Sequence, residues 1–194
     1  MNKSMKLSEH FTLGELCKTK YVTEDGNIPS RVHIENLKRI CENWLEDLRY
    51  SYNMLYVHSG VRPQSKVVAG VRPQSKVAGD CTLAPDPGAA PELGAAAVSR
   101  KEEPIIINSG YRSPEVNRLA GGAANSNHLL GCAVDIWCAG KEQMIHYASI
   151  LLDIADGLKQ EYDELLLEQH GSVCWLHFAV RPKENRRIIR FLRV

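Results

Sequence analysis

An aspartate stands in the middle of an otherwise apolar run, Cys132-Ala133-Val134-Asp135-Ile136-Trp137-Cys138. The valine, isoleucine and tryptophan content predicts a strand. In strand geometry Ala133, Asp135 and Trp137 share one face, and Cys132, Val134, Ile136 and Cys138 share the other. A carboxylate in such a strand needs a cation or strong hydrogen bonds. A metal ion is one answer and an arginine partner is the other. A second apolar run, Trp175-Leu176-His177-Phe178, carries a histidine at its centre. A third polar group, His128, lies in Ser126-Asn127-His128-Leu129-Leu130-Gly131, the loop that enters the first strand. A lone histidine in a strand is more often a hydrogen-bonded core residue than a ligand. Two histidines and an aspartate in strand contexts would also form a three-ligand metal set of the open, catalytic kind, with one position left for water.

The rest of the chain reads as helices around these strands. Thr12-Leu13-Gly14-Glu15 is a capping box, with Phe11 before it and Leu16 after it, so a short helix is expected there, ending before Tyr21. Pro29 opens a longer helix. Its apolar stripe, Val32, Leu37, Ile40, Cys41, Trp44, Leu45 and Leu48, predicts burial of one face. Pro104 to Asn108 reads as a short buried strand, and Ser109-Gly110-Tyr111-Arg112 as a turn. Ser113 and Pro114 are a good cap and first helical residue, and Gly121-Gly122 stops that helix. Lys141 to Ala155 has helical periodicity. Asp163 to Gln169 and Val173 to Val180 form a hairpin around His170-Gly171-Ser172. Arg186 to Val194 is a basic segment with apolar residues mixed in. His10, His33, His58 and His146 are expected at the surface.

One stretch has a different texture. Gly-Val-Arg-Pro-Gln-Ser-Lys-Val occurs at 60–67 and again at 70–77, and a run rich in proline, glycine and alanine follows. Two copies are too few for a solenoid. With few large apolar residues, the stretch cannot repay its ordering entropy. Residues 58–100 are therefore expected to be a disordered insertion, and 1–57 with 101–194 to make one domain. A tandem duplication without a role explains the insertion as well as a function does.

Composition narrows the function classes. Lysines and arginines number 24 against 23 aspartates and glutamates, for a net charge of +1. A nucleic-acid binder would normally show a basic excess, so none is expected here. No run reaches the length of a membrane span. No apolar stretch follows the first lysines, so no secretory signal is expected. A cytoplasmic protein, or one released to the cell wall by lysis if phage-derived, is the corresponding expectation. The six cysteines contain no Cys-x-x-Cys pair, which argues for reduced thiols over a disulfide or cysteine-zinc scaffold.

Taken together, Ser109-Gly110-Tyr111-Arg112-Ser113, Ser126-x-His128-x-x-Gly131-x-Ala133-x-Asp135 and Trp175-x-His177 resemble the zinc D-Ala-D-Ala peptidase family, in its branch of small single-domain bacterial and phage members. The opening Leu7 to Leu16 resembles the start of that branch, and the likeness extends along the chain except at 58–100. The resemblance implies an α+β fold, with helices packed on a mostly antiparallel sheet that carries zinc, as in the hedgehog/DD-peptidase fold. It implies zinc held by His128, Asp135 and His177. Arg112 would polarise the scissile carbonyl, and Ser126 and Tyr111 would contact substrate, although Tyr111 could equally fill the core. The activity implied is hydrolysis of a peptidoglycan stem-peptide amide bond, of carboxypeptidase or endopeptidase type, by a monomer. A non-catalytic zinc domain that binds cell-wall peptide or a protein partner is the alternative.

The general base departs from the pattern of many relatives, which carry an acid three positions before the last zinc histidine. Here that position is Cys174. Other members place an acid on the partner strand of the hairpin, and Glu168 fits. If His170 pairs with Val173, then Glu168 faces Trp175 and position 166 faces His177. Cross-strand partners share a face, so Glu168 and His177 project to the same side. A slip of one residue would reverse this.

Overall fold

The computed structural model describes residues 4–58 and 101–193. The expected insertion, residues 58–100, lies outside the described residues apart from the backbone of His58, which ends a helix.

The first helix, α1 (Leu13–Leu16), starts from the expected capping box. The Glu15 amide donates to Thr12 Oγ1, and the Thr12 amide donates to Glu15 Oε2 at 2.8 Å. The second, α2 (Arg31–Ile40), is capped by Ser30 and runs without a break through a π-helical turn, Cys41–Leu45, into α3 (Glu46–Tyr52) and a second π-helical turn, Asn53–His58. Each π turn fits an extra residue into the helix and so rotates the face that follows. Leu37, Ile40, Cys41, Trp44, Leu45, Leu48 and Tyr52 are thereby all buried. Val32 leaves the predicted stripe: it sits in the first turn, 67% exposed.

The sheet has five strands: β1 (Ile107–Ser109), β2 (Ala133–Cys138), β3 (Glu164–His170), β4 (Val173–Ala179) and β5 (Ile188–Arg193). Their order is β1-β2-β4-β3-β5. The first three pairings are antiparallel, as expected. The last, β3 with β5, is parallel, so the sheet is mixed. Sequence periodicity did not single out β5: its polar and apolar residues follow no inside–outside alternation, because this edge strand is largely exposed.

One face of the sheet is the core face. Val134, Ile136, Leu165, Leu167, Leu176 and Phe178 lie on it, covered by α5 (Lys141–Gly157) through Tyr147, Leu151 and Ala155, and by the long helical run. The Trp44 ring meets Phe178 edge-on at 4.9 Å. Burying each such side chain contributes about 1.5–3 kcal/mol. The remaining helix, α4 (Pro114–Leu119), is capped by Ser113 with Pro114 at its first position. Two of the histidines expected at the surface are half-buried: His33 stacks on Tyr111 and His146 on Tyr56. Cys17, Cys41, Cys132, Cys138 and Cys174 are buried.

Candidate metal centre

The face of the sheet opposite the core collects the polar residues. Asp135 pairs with His177 across β2 and β4, and Leu166 pairs with His177 across β3 and β4. Glu168 pairs with Trp175, in the register expected from the two-residue turn Gly171-Ser172. Strand parity puts Asp135, His177, Glu164, Leu166 and Glu168 on one face. Cys174, three residues before His177, has the opposite parity and is buried with Cys138 on the core face.

His128 reaches this face from a short 3-10 turn, Asn127–Leu130. Ser126 caps the turn by accepting from the His128 amide, and Gly131 ends it. Gly131 has φ +64°, and a Cβ there would lie 2.6 Å from the His33 carbonyl, so only glycine fits. The Ser109–Arg112 turn clasps the same loop: the Arg112 amide donates to the His128 carbonyl at 3.1 Å.

Three donor atoms converge. His128 Nε2 is 3.1 Å from Asp135 Oδ1 and 3.2 Å from His177 Nδ1, and His177 Nδ1 is 2.9 Å from Asp135 Oδ1. All three residues are buried. A tetrahedral ion with bonds of about 2.0–2.1 Å holds its ligand atoms about 3.3–3.4 Å apart, so the spacing suits a metal after a shift of a few tenths of an ångström. The chemistry of the donors points the same way. His128 Nδ1 lies 2.6 Å from the Gly110 carbonyl, which can only accept, so this nitrogen carries the proton. In the neutral ring Nε2 is then an acceptor aimed at a carboxylate, another acceptor. Burial lowers the His128 pKa against the opposing pull of Asp135, favouring that neutral ring. A cation between the two resolves the conflict.

The charges around the cluster are unequal. Burial opposes ionisation of Asp135, but His128 and His177 outweigh it and hold the carboxyl well below the usual range. Burial also disfavours charge on His177, yet its hydrogen bond with Asp135 and the nearby Glu164 carboxylate push its pKa up to about 9. Arg112 donates from one terminal nitrogen to Asp135 Oδ2 and from Nε to Ser109 Oγ at 2.8 Å. Arg112 therefore engages Oδ2 of the buried aspartate, while Oδ1 faces the two histidines.

These residues lie in an open cleft of about 910 Å³, whose walls also include Lys18, Lys20, Ser126, Glu164, Glu168, Trp175 and Arg186. Tyr111 is not one of its walls. The turn aims that ring into the interior, where it is 5% exposed and stacked on His33 at 4.7 Å. The expectation of a substrate contact by its side chain is corrected accordingly.

Two carboxylates of β3 border the cluster with opposite acidities. Burial raises the Glu168 pKa, while nearby His177 and a hydrogen bond from the Trp175 side chain oppose the rise. Glu164 is held low, first by His177 and then by Arg186 and Asn127. Glu164, Asn127 and Arg186 were not singled out in the sequence. For Glu164 a signal existed, because it shares the strand parity of Glu168. For Arg186 and Asn127 none did.

Residues 95–155, which include Arg112, His128 and Asp135, match the family model of Peptidase M15. Over this segment the chain is similar to peptidase M15. No curated protein matches the chain. M15 peptidases depend on a metal, and His128, Asp135 and His177 are the candidate site for one here. Among the described residues, no helix is long and apolar enough to cross a membrane.

Proposed function

We propose that the chain is a zinc-dependent peptidase that hydrolyses an amide bond of a peptidoglycan stem peptide, at D-Ala-D-Ala or at another bond to a D-residue. The observation that carries the reading is the convergence of two histidine ring nitrogens and one carboxylate oxygen at 2.9–3.2 Å in an open cleft. That donor set, one oxygen and two imidazole nitrogens, suits zinc with one position open to water. The arrangement of helices on one face of the sheet and ligands on the other is compatible with the hedgehog/DD-peptidase fold.

His128, Asp135 and His177 would hold the ion. Zinc bound there supplies Lewis acidity, polarising the scissile carbonyl and acidifying water. Glu168 is the general base: its carboxylate accepts the proton of the attacking water and returns it to the leaving amine. A raised pKa suits a group that must take and then give a proton near neutral pH, whereas Glu164, lowered and engaged by two donors, suits that role poorly. Arg112 anchors Asp135 and keeps Nη1 clear of its bonds to Asp135 and Ser109, available to stabilise negative charge on the carbonyl oxygen. Ser126 stands at the cleft wall with its hydroxyl committed to capping the His128 turn, and it contacts substrate from there. The cleft lysines Lys18 and Lys20 favour a peptide that carries carboxylates.

The alternative, a zinc domain that only binds, drew on Cys174 at the usual acid position. With that residue on the core face and Glu168 in the cleft, catalysis is the better-supported reading. The test is digestion of a defined muropeptide by the full chain. Amide cleavage that stops with a chelator and returns with zinc supports it. Stoichiometric zinc with no cleavage of D-Ala-D-Ala or cross-linked muropeptides favours the binding domain.

A further inference from the structure

We infer that Glu164 is a positioning residue for the third metal ligand: it holds the Nε2 edge of His177 and so presents Nδ1 to the metal. The inference rests on reading His128, Asp135 and His177 as a metal site.

An imidazole can ligate through either nitrogen. His177 turns Nδ1 into the cluster, 2.9 Å from Asp135 Oδ1 and 3.2 Å from His128 Nε2. Its other nitrogen, Nε2, lies 3.6 Å from Glu164 Oε2. A neutral ring that offers the Nδ1 lone pair must carry its proton on Nε2, and that proton needs an acceptor. An ionised carboxylate only accepts, so Glu164 supplies one, and a small rotation closes the contact to a hydrogen bond. Strand register puts it in place. Glu164 lies two residues before Leu166, the cross-strand partner of His177, and so projects from the same face.

Glu164 is itself held on both oxygens. Oε1 accepts from Arg186 Nη2 at 2.8 Å, and Oε2 accepts from Asn127 Nδ2 at 3.0 Å. Arg186 is fixed in turn by a two-pronged bond to Asp163, at 2.7 and 2.6 Å, and the Asp163 side chain is fully buried. Asn127 Nδ2 also donates to Asp163 Oδ2 at 2.8 Å. Asn127 immediately precedes the ligand His128. One hydrogen-bonded web therefore joins Glu164, which lies against His177, to Asn127, the residue before His128. An acceptor locked behind a ligating histidine fixes which nitrogen is protonated and how the ring is turned.

The experiment measures the zinc dissociation constant of the full chain by competition with a chromophoric chelator, and the visible spectrum of its cobalt(II) form. The variants are Glu164→Leu, which removes the acceptor, and Glu164→Gln, which keeps an oxygen acceptor. Glu164→Leu should weaken zinc by roughly 10–100-fold and change the cobalt bands; Glu164→Gln should restore both close to wild type. Wild-type affinity and bands in Glu164→Leu would overturn the inference, as would a loss in Glu164→Gln equal to that in Glu164→Leu. Glu164→Ala is read by the same criteria if circular dichroism shows that the leucine variant does not fold. A wild-type chain that takes up no metal fails the site reading itself, which keeps the two failures apart.

Discussion

Glu164 and Glu168 show how far position on a strand can separate two identical side chains. Two donors engage the first, so its charge is stabilised; the second is half-buried, so its proton is retained more readily. In the proposed mechanism Glu168, and not Glu164, cycles the proton. Glu168→Gln should keep stoichiometric zinc and lower kcat by roughly 10²-fold or more, the usual size of a general-base contribution. Cys174→Ser, on the core face, should leave kcat near wild type. The pH profile has a definite sign. A base works only when deprotonated, so activity falls as pH drops through the Glu168 pKa. Because that pKa is raised, the acid limb of kcat/KM should lie above the ordinary glutamate value and disappear in Glu168→Gln. Equal activity of Glu168→Gln and wild type would reject the assignment. His128→Ala removes a donor that nothing nearby replaces. Metal analysis should find stoichiometric zinc lost while far-UV circular dichroism is retained; zinc kept at full occupancy would remove His128 from the ligand set.

At the scale of elements, the candidate site is where the loops Ser109–Arg112 and Ser126–Gly131 meet the strands that carry Asp135 and His177. Gly110 joins these parts. Its carbonyl accepts from His128 Nδ1 at 2.6 Å, and a Cβ on it would lie 2.3 Å from the Leu16 carbonyl oxygen in α1. That close approach is needed for the Tyr111 amide to donate to the same Leu16 oxygen at 2.7 Å. Gly110→Ala must push the turn away from α1, a backbone shift costing about 1–3 kcal/mol. Differential scanning calorimetry should show Tm lowered by several degrees. Chelator competition should show weaker zinc as well, because the carbonyl that orients His128 moves with the turn. An alanine variant with wild-type Tm and zinc affinity would mean that the turn can shift freely, and the account of His128 would lose its anchor.

At the scale of the whole molecule, one hydrophobic cluster joins Leu7 to Tyr52 with Ile105 to Val180, so segments on either side of 58–100 build the same core. The flanks of that stretch are also tied to each other. Asn53 Nδ2 donates to the Glu103 carbonyl at 3.0 Å, the Glu103 amide donates to Asn53 Oδ1 at 2.7 Å, and Arg49 pairs with Glu102. Loop-closure entropy changes only slowly with length. A short Gly/Ser linker in place of 58–100 should therefore leave zinc content unchanged and Tm within a few degrees of wild type. A variant that fails to fold would show that the removed residues contribute to the core.

The local order of the chain was legible from sequence alone, because local rules govern it. The Thr12 capping box, the Ser113-Pro114 helix start, the alternation of Cys132–Cys138 and the Gly171-Ser172 hairpin depend on residues within a few positions of one another. The hairpin register alone put Glu168 and His177 on one face, because side-chain period and turn length fix parity. The same parity could have found Glu164. Other features needed distant partners. The parallel pairing of β5 with β3 depends on backbone bonds across a chain crossing, which leave no periodic trace in a mostly exposed edge strand. Tyr111 is turned inward because His33, far away in sequence, offers it a stacking partner. The web from buried Asp163 through Arg186 and Asn127 to Glu164 joins three separate segments. Which ring nitrogen each histidine offers is decided there and at the Gly110 carbonyl, since a tautomer is set by the acceptor that folding brings to the other nitrogen.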